Sequence, residues 1–245
     1  MLGLQLYTVR SMIKDESSAV SALTEIKKMG YECVQLAGRM DMISLTANAA
    51  EEVGIKVIGI LGGIEMCEEE GEELFRIAHL CGAEDLGISS GMTTEVEAYD
   101  LIARANRFAK RAWEQGFTFS YHNHSNEFIR GESGRTLMSI LEEGFDRNLV
   151  RLMPDTYWLQ HGGVDVRHFL EQAEGRVNIL HLKDMKRTVD GQAFAEIGRG
   201  NIHFEGILEV AKKIGIEHFI VEQDRCDGNP LDSARISCEY VRSIL

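Results

Sequence analysis

Four short stretches in the second half of the chain bring histidine and carboxylate side chains together. They are residues 121–127 (YHNHSNE), 154–158 (PDTYW), 181–184 (HLKD) and 222–224 (EQD). Oxygen and imidazole donors without a thiolate suit Mn²⁺, Mg²⁺, Co²⁺ or Zn²⁺, and they leave room for substrate oxygens on the ion. Such an ion would polarise a carbonyl or stabilise an enediolate. The residues therefore indicate proton transfer next to a carbonyl, which also needs a side chain that carries the proton.

The histidines and carboxylates of these stretches each allow two interpretations. His122 and His124 would point to the same face of a strand, either into the site or towards neighbouring hydroxyl groups. Asp155 either binds the ion or caps the turn that follows it. His181 and Glu222 favour the ligand role for Asp155, because they occupy equivalent positions on the next two predicted strands.

Lys183 and Asp184 form either an ion pair of little energetic weight at the rim or part of the site. Lys183 would carry a proton if burial beside a cation lowered its pKa. Both interpretations remain open at the level of the sequence.

Three further residues are candidates for substrate contacts. Residues 197–201 (IGRGN) contain two glycines, which permit a tight loop that brings Arg199 over the site. A surface arginine is the alternative. Trp158 and Tyr7 offer apolar walls for a sugar ring, or they only cap the core.

The elements that must position these residues alternate eight times along the chain. Predicted strands cover residues 2–9, 31–36, 56–61, 85–89, 117–122, 150–154, 177–182 and 218–222. Predicted helices lie near residues 17–29, 45–53, 68–81, 96–115, 136–143, 166–172, 204–214 and 231–244. Eight βα units favour a closed barrel over an open sheet, and no glycine-rich dinucleotide fingerprint follows the first strand. The prediction is one (β/α)₈ TIM-barrel domain over residues 1–245, with its site at the C-terminal strand ends.

Composition narrows the class of protein. The formal net charge of −13 opposes contact with phosphate backbones, so nucleic acid is not an expected partner, whereas a neutral sugar or polyol is. The five cysteines show no C-x-x-C spacing, which argues against a thiolate metal site or a disulfide framework.

No secretory leader follows Met1 and no apolar run has the length of a membrane span, so we expect no contact with a membrane and a cytoplasmic location. A homodimer is the default assembly.

The motifs resemble the sugar phosphate isomerase/epimerase family, whose members are xylose isomerase-like TIM barrels related to inosose dehydratases and to metal-dependent AP endonucleases. The likeness runs through residues 4–10 (LQLYTVR), 121–128 (YHNHSNEF), 155–158 (DTYW), 181–184 (HLKD) and 221–224 (VEQD). It covers nearly the whole chain. The same motifs recur in isomerases, epimerases and dehydratases, so they imply a family and not one reaction.

The resemblance implies that Asp155, His181 and Glu222 are metal ligands from strands six, seven and eight. It leaves the strand-five ligand open, because many relatives place a glutamate inside that strand. Glu127 is preferred here, and His122 is the alternative. Gln35 stands where many relatives carry a glutamate, and it is expected to contact the substrate.

The expected function is metal-dependent isomerisation or epimerisation of a sugar, keto-sugar or polyol, with Mn²⁺ as the first choice of metal and Mg²⁺, Co²⁺ or Zn²⁺ as alternatives. Glu222 would bind the ion and move the proton, and His124, His122 and Lys183 are the other candidate catalytic groups. An inosose or keto-sugar dehydratase on the same site and a non-catalytic sugar-binding barrel are the rival interpretations. DNA repair is disfavoured, because that branch needs further histidines and the chain is acidic.

Overall fold

The computed structural model describes residues 1–245, and eight parallel strands form a nearly closed barrel. The barrel strands are β1 (Leu2–Gln5), β2 (Cys33–Ala37), β3 (Lys56–Gly62), β4 (Asp85–Ser89), β5 (Thr118–His122), β6 (Val150–Met153), β7 (Ile179–Leu182) and β10 (His218–Val221). Pairing runs without a break from β6 through β5, β4, β3, β2, β1 and β10 to β7. Two isolated bridges, Leu152 with Val177 and Asp155 with His181, join β6 to β7. The predicted TIM barrel is therefore confirmed.

The helices lie between the strands and cover the barrel. They are α1 (Glu16–Met29), α2 (Met40–Val53), α3 (Ile64–Glu69), α4 (Gly71–Cys81), α5 (Glu95–Glu114), α6 (Leu137–Gly144), α7 (Thr156–His161), α8 (Val166–Gln172), α9 (Phe204–Lys213) and α10 (Pro230–Ile244). Local chemistry sets several of their ends. Thr94 and Glu97 form a capping box at the start of α5, and left-handed Gly30 and Gly54 end α1 and α2.

Four features differ from the elements predicted from the sequence. The first strand was predicted over residues 2–9, but it ends at Gln5 and a 3₁₀ helix (Leu6–Met12) follows, because the Gln5 side chain accepts a hydrogen bond from the Tyr7 amide. The predicted helix 68–81 is two helices, α3 and α4. Helix α7 and an antiparallel hairpin, β8 (Asp184–Thr188) with β9 (Gly191–Ala195), were not predicted.

The apolar core surrounds a polar end of the barrel. One cluster of 65 buried residues includes both helix and strand side chains. Seven buried polar residues lie at or just after the C-terminal ends of barrel strands, each at most 5% exposed: Gln5, Gln35, His122, Asp155, His181, Lys183 and Glu222. Burying such groups costs free energy unless each finds a partner, so their contacts define the site. None of the helices is long and apolar enough to cross a membrane.

Candidate metal centre

Four buried side chains from consecutive strand ends converge on one point. They are His122, Asp155, His181 and Glu222, and one ligand atom from each lies within 4.8 Å of the others. Parallel strands of a barrel deliver their C-terminal residues to one rim, which is why residues so far apart in sequence meet here. The predicted ligands from strands six, seven and eight are thus brought together.

The four side chains fit a divalent ion. The Oδ2 atom of Asp155 and the Nδ1 atom of His122 are buried and have no hydrogen-bond partner. Asp155 Oδ2 has only longer contacts, with Lys183 Nζ at 3.4 Å and with His122 Nε2 at 3.9 Å, so an ion among these side chains would give this buried oxygen a closer partner. Burial holds the pKa of His122 well below its usual range, so the ring is neutral, which is the form that binds metals. A set of two imidazoles and two carboxylates suits Mn²⁺, Zn²⁺ or a similar ion.

Asp155 caps the following helix, and its position is also compatible with the ligand role that the sequence left open. Its Oδ1 atom accepts a hydrogen bond from the Trp158 amide at 3.0 Å and so caps α7. Its Oδ2 atom faces the other three donors. The cap fixes the carboxylate plane and directs Oδ2 towards the other donors and towards Lys183 Nζ, which lies 3.4 Å away.

Glu127, which was preferred as the strand-five ligand, lies outside this group. Its Oε1 atom accepts a hydrogen bond from the Tyr121 hydroxyl at 2.6 Å, and its Oε2 atom accepts one from the His124 amide at 3.0 Å. Burial raises the pKa of Glu127, although these hydrogen bonds oppose that shift. Both oxygens therefore hold the loop after β5, and His122, the alternative, occupies the strand-five position in the group.

We call His122, Asp155, His181 and Glu222 the ligand group. Lys183 lies beside it as a buried cation. Its Nζ atom is 2.5 Å from Asp224 Oδ1 and 3.4 Å from both Asp155 Oδ2 and Glu222 Oε2. Burial favours the neutral amine, but the three carboxylates outweigh it and raise the pKa of Lys183. The three carboxylates therefore favour the charged form of Lys183, whereas a role as proton carrier would need a lower pKa.

Asp184 does not pair with Lys183 and instead anchors the loop after the hairpin. Its Oδ2 atom accepts hydrogen bonds from the amides of Gly198 and Gly200, and its Oδ1 atom accepts one from Ile202. Gly200 has no room for a side chain, because an added Cβ would lie 2.2 Å from Asp184 Oδ1. The same tight loop leaves Arg199 exposed. Arg199 is not among the residues that line the cavity next to the four converging side chains.

A cavity of about 390 Å³ opens above the ligand group. It is lined by Gln5, Tyr7, Ala37, Gly38, Leu61, Gly62, Gly63, Ser89, His122, His124, Glu222 and Asp224. This volume lies within the usual range for pockets that bind small molecules. The lining contains carboxylates, imidazoles and an amide, and it contains no lysine or arginine.

The remaining candidate residues lie around this cavity. The ring of His124 lines it and packs edge-on against Trp158, with ring centroids 5.3 Å apart. Tyr7 lies at the rim, 41% exposed, with the Arg10 guanidinium 3.7 Å from its ring centroid. Burial and the nearby Lys183 charge lower the pKa of His124, so its ring is neutral near pH 7.

Gln35 lies behind the ligand group and not in the cavity lining. Its Oε1 atom is 2.7 Å from His181 Nε2 and accepts a second hydrogen bond from Gln5 Nε2, also at 2.7 Å. Gln5 was not among the residues predicted from sequence. The available signal was register: on adjacent parallel strands, Gln5 pairs directly with Gln35.

Phe194 of β9 is a second residue that the sequence reasoning missed. Its ring stacks on Tyr157, with centroids 4.5 Å apart, and lies 5.6 Å from Lys183 Nζ. The hairpin thereby covers the buried ammonium. No sequence signal pointed to it, because the hairpin itself was not predicted.

Together, a (β/α)₈ barrel and a buried ligand group at its C-terminal mouth define a class of enzyme barrels that work at this end of the sheet. The sequence profile of the xylose isomerase-like TIM barrel family matches residues 15–244. The chain belongs to this family, and the family resemblance seen in the motifs is confirmed.

Curated relatives of the chain are inosose dehydratases. The chain is 29% identical to inosose dehydratase from Geobacillus thermodenitrificans over 167 residues, which are 61% of this chain and 55% of that protein. It is also 29% identical to inosose dehydratase from Clostridium perfringens over 167 residues, 60% of this chain and 55% of that protein. The chain therefore spans about half the length of the curated relatives that it matches.

Solved structures show the same fold at low sequence identity. A sugar phosphate isomerase/epimerase from Parabacteroides distasonis matches with a TM-score of 0.81 and 20% identity over 99% of this chain and 93% of that one. D-allulose 3-epimerase from Methylomonas sp. matches with a TM-score of 0.79 and 13% identity over 100% and 97% of the two chains. A probable 3-DHS dehydratase from Bacillus anthracis matches with a TM-score of 0.77 and 12% identity over 98% of each chain.

Proposed function

We propose that the chain is a divalent-metal-dependent isomerase or epimerase that moves a proton next to the carbonyl of a sugar, a keto-sugar or the keto form of a polyol. The observation that carries the proposal is the convergence of ligand atoms of His122, Asp155, His181 and Glu222 within 4.8 Å, next to a cavity that His122 and Glu222 line. When bound there, a divalent ion, with Mn²⁺ as the first choice, would polarise the carbonyl and stabilise the enediolate. His122 takes the ligand position for which Glu127 was first preferred.

The other residues of the site have distinct proposed roles. His124 is the preferred proton carrier, because its neutral ring lines the cavity and it lies outside the ligand group. Glu222 lines the same cavity and is proposed both to bind the ion and to exchange a proton. Lys183 is proposed to stay charged and to orient Asp155 and Glu222, since its ammonium contacts both carboxylates.

The substrate is proposed to carry no phosphate. A phosphate group needs a cation or several donors to replace its hydration. The cavity lining has neither lysine nor arginine, and Lys183 is already bound by three carboxylates. Arg10 donates to the carbonyl oxygens of Tyr7 and Asp224, and Arg199 is exposed and does not line the cavity. A neutral sugar or polyol fits this lining better than a sugar phosphate.

A dehydratase is the second candidate. Its support is the similarity to inosose dehydratases, which are the curated relatives of this chain. Dehydration begins with the same proton removal next to a carbonyl and then expels a hydroxyl group from the adjacent carbon. The ligand group and His124 serve both reactions, so the product identifies which one occurs.

The test is incorporation of solvent deuterium, followed by NMR, into ketoses, keto-glycosides and inososes incubated with the Mn²⁺-loaded protein. We expect exchange at the carbon next to the carbonyl of one substrate. Glu222→Gln should lose both exchange and metal affinity, whereas His124→Gln should keep the metal and slow exchange by about 10²-fold or more. Glu209→Gln, an exposed change on α9, is the matched control and should behave as wild type.

The result that contradicts the proposal is stoichiometric metal with no exchange into any compound of the panel. That outcome would point to a non-catalytic sugar-binding barrel. Exchange accompanied by loss of a hydroxyl group would point to the dehydratase.

A single domain over residues 1–245, a homodimer and a cytoplasmic location stay predictions of the sequence. Limited proteolysis tests the first, because a single compact domain yields few early fragments. Light scattering after size-exclusion chromatography tests the second.

A further inference from the structure

Two buried glutamine side chains connect the first strand to the metal-ligand group. Gln5 ends β1 and Gln35 lies on β2 directly beside it, and neither side chain is exposed. Gln5 Nε2 donates to Gln35 Oε1 at 2.7 Å, and the same oxygen lies 2.7 Å from His181 Nε2. The three residues thus form one continuous hydrogen-bonded chain.

One backbone amide fixes the direction of every bond in this chain. The Tyr7 N–H can only donate, and it lies 3.2 Å from the Gln5 side-chain oxygen. Gln5 must therefore present its NH₂ group to Gln35. Gln35 must accept this bond with its side-chain carbonyl oxygen, because two NH₂ groups facing each other would leave both without an acceptor.

The other side of Gln35 agrees with this orientation. Its Nε2 atom points at the Met153 sulfur at 3.4 Å, and a thioether accepts hydrogen bonds weakly. A reversed amide would place a carbonyl oxygen against that sulfur, with no proton between the two acceptors. The orientation of Gln35 is therefore determined from both of its ends.

The orientation of Gln35 determines which ring nitrogen of His181 donates. Because Gln35 presents an oxygen, the His181 ring must donate from Nε2, so its Nδ1 atom carries the lone pair when the ring is neutral. That Nδ1 atom lies 2.8 Å from Glu222 Oε2, which is also an acceptor. In metal-free protein a proton on Nδ1 or the Lys183 ammonium, 3.4 Å from Glu222 Oε2, relieves the repulsion between these two acceptors, and a bound cation would replace that proton.

We propose that Gln5 and Gln35 are positioning residues that preset the tautomer of His181, so that Nδ1 is the atom offered to the metal. The inference rests on the proposed function only for the identity of the ion, since the amide chain is complete without one. It also reassigns Gln35: the side chain is a neutral support for a metal ligand and does not contact the substrate. Partners of this kind commonly fix the tautomer and ring orientation of metal-binding histidines.

The test reads the tautomer directly by ¹H–¹⁵N NMR of the histidine rings. Spectra are recorded for metal-free protein at alkaline pH and for Zn²⁺-loaded protein, and the loss of one ring in His181→Asn assigns the signal. We expect a proton on Nε2 in both forms, slow to exchange with solvent. Gln35→Met should abolish this protection and weaken Zn²⁺ binding by about 10-fold to 100-fold.

Two further variants separate positioning from general packing. Gln35→Glu keeps an acceptor in place and should retain the Nε2–H tautomer, so it serves as the rescue variant. Gln223→Met removes another buried amide, one that donates to the Arg225 carbonyl, and should leave the His181 signal unchanged.

Two results would overturn the inference. One is a wild-type ring protonated on Nδ1 or exchanging between tautomers, and the other is a Gln35→Met protein with wild-type spectra and Zn²⁺ affinity. Failure of wild-type protein to bind Zn²⁺ would count against the proposed function instead. The metal-free spectra would still decide the role of the two glutamines.

Discussion

The ammonium of Lys183 balances charge that the ligand group would otherwise leave uncompensated. Replacing Lys183 with methionine leaves Asp155, Glu222 and Asp224 as neighbouring buried or half-buried carboxylates. Breaking a buried ion pair in this way costs about 3–5 kcal/mol. We expect a loss of this size in the unfolding free energy of metal-free protein, measured with denaturant in the presence of chelator, and partial recovery when Mn²⁺ is added.

Lys186→Met is the matched control, because Lys186 pairs with Asp227 at the surface. Exposed pairs contribute about 0–1 kcal/mol. Equal stability of the two variants would mean that Lys183 does not compensate the carboxylates.

The buried carboxylate of Asp85, on β4, predicts that the unfolding free energy depends on pH. Its Oδ2 atom accepts hydrogen bonds from Thr118 and Ser120, its Oδ1 atom has no partner, and burial raises its pKa from 3.8 to about 6. Between these values the folded protein keeps a proton that the unfolded chain loses, so the Asp85 contribution to stability falls as pH rises.

The comparison that isolates this effect is Asp85→Asn against wild type. As pH rises from about 4 to 6, wild type should lose stability relative to the variant by about 2 kcal/mol. Denaturant midpoints across this pH range measure the difference. A constant difference between the two proteins would show that Asp85 titrates normally.

At the scale of elements, the hairpin β8–β9 is the addition that most affects the site. Phe194 stacks on Tyr157 and covers Lys183, whereas Val189 at the tip is 97% exposed. Phe194→Ala should lower the unfolding free energy by about 1–3 kcal/mol, through lost burial and a lost aromatic pair. Val189→Ala should change it by less than about 0.5 kcal/mol. Thermal unfolding of both variants checks this, and equal effects would mean that the hairpin does not pack on the site.

The barrel itself was predictable because its signals are local. Helix caps, glycine stops and eight apolar strands each follow from neighbouring residues in the sequence. The predicted first strand is longer than β1 because Tyr7, Thr8 and Val9 are residue types common in strands, whereas the structure has a 3₁₀ helix whose start is capped by the Gln5 side chain, which accepts from the Tyr7 amide.

The ligand group was predictable only in part. Asp155, His181 and Glu222 follow strands at equivalent places, so the barrel rule brings them together. The choice between Glu127 and His122 depended on the Tyr121 hydroxyl, which binds Glu127 from inside the core. That contact is invisible without coordinates, as is the hydrogen-bonded chain behind His181.

At the scale of the whole molecule, metal binding should be linked to stability. An ion that binds only the folded protein stabilises it by about 2.7 kcal/mol at one hundred times its Kd. We expect Mn²⁺ to raise the melting temperature and a chelator to lower it, with Asp155→Asn losing the dependence and Glu209→Gln retaining it. If Mn²⁺ does not change the melting temperature of wild-type protein, the four residues do not hold a metal.

The mouth of the barrel is divided between two groups of strands. The ligand group comes from β5, β6, β7 and β10, while Ala37, Gly63 and Ser89 line the cavity from the ends of β2, β3 and β4. These small side chains take no part in the ligand group. Substitutions at these three positions can therefore change the size and shape of the cavity, and so the molecule that it admits, while the four residues of the ligand group stay the same.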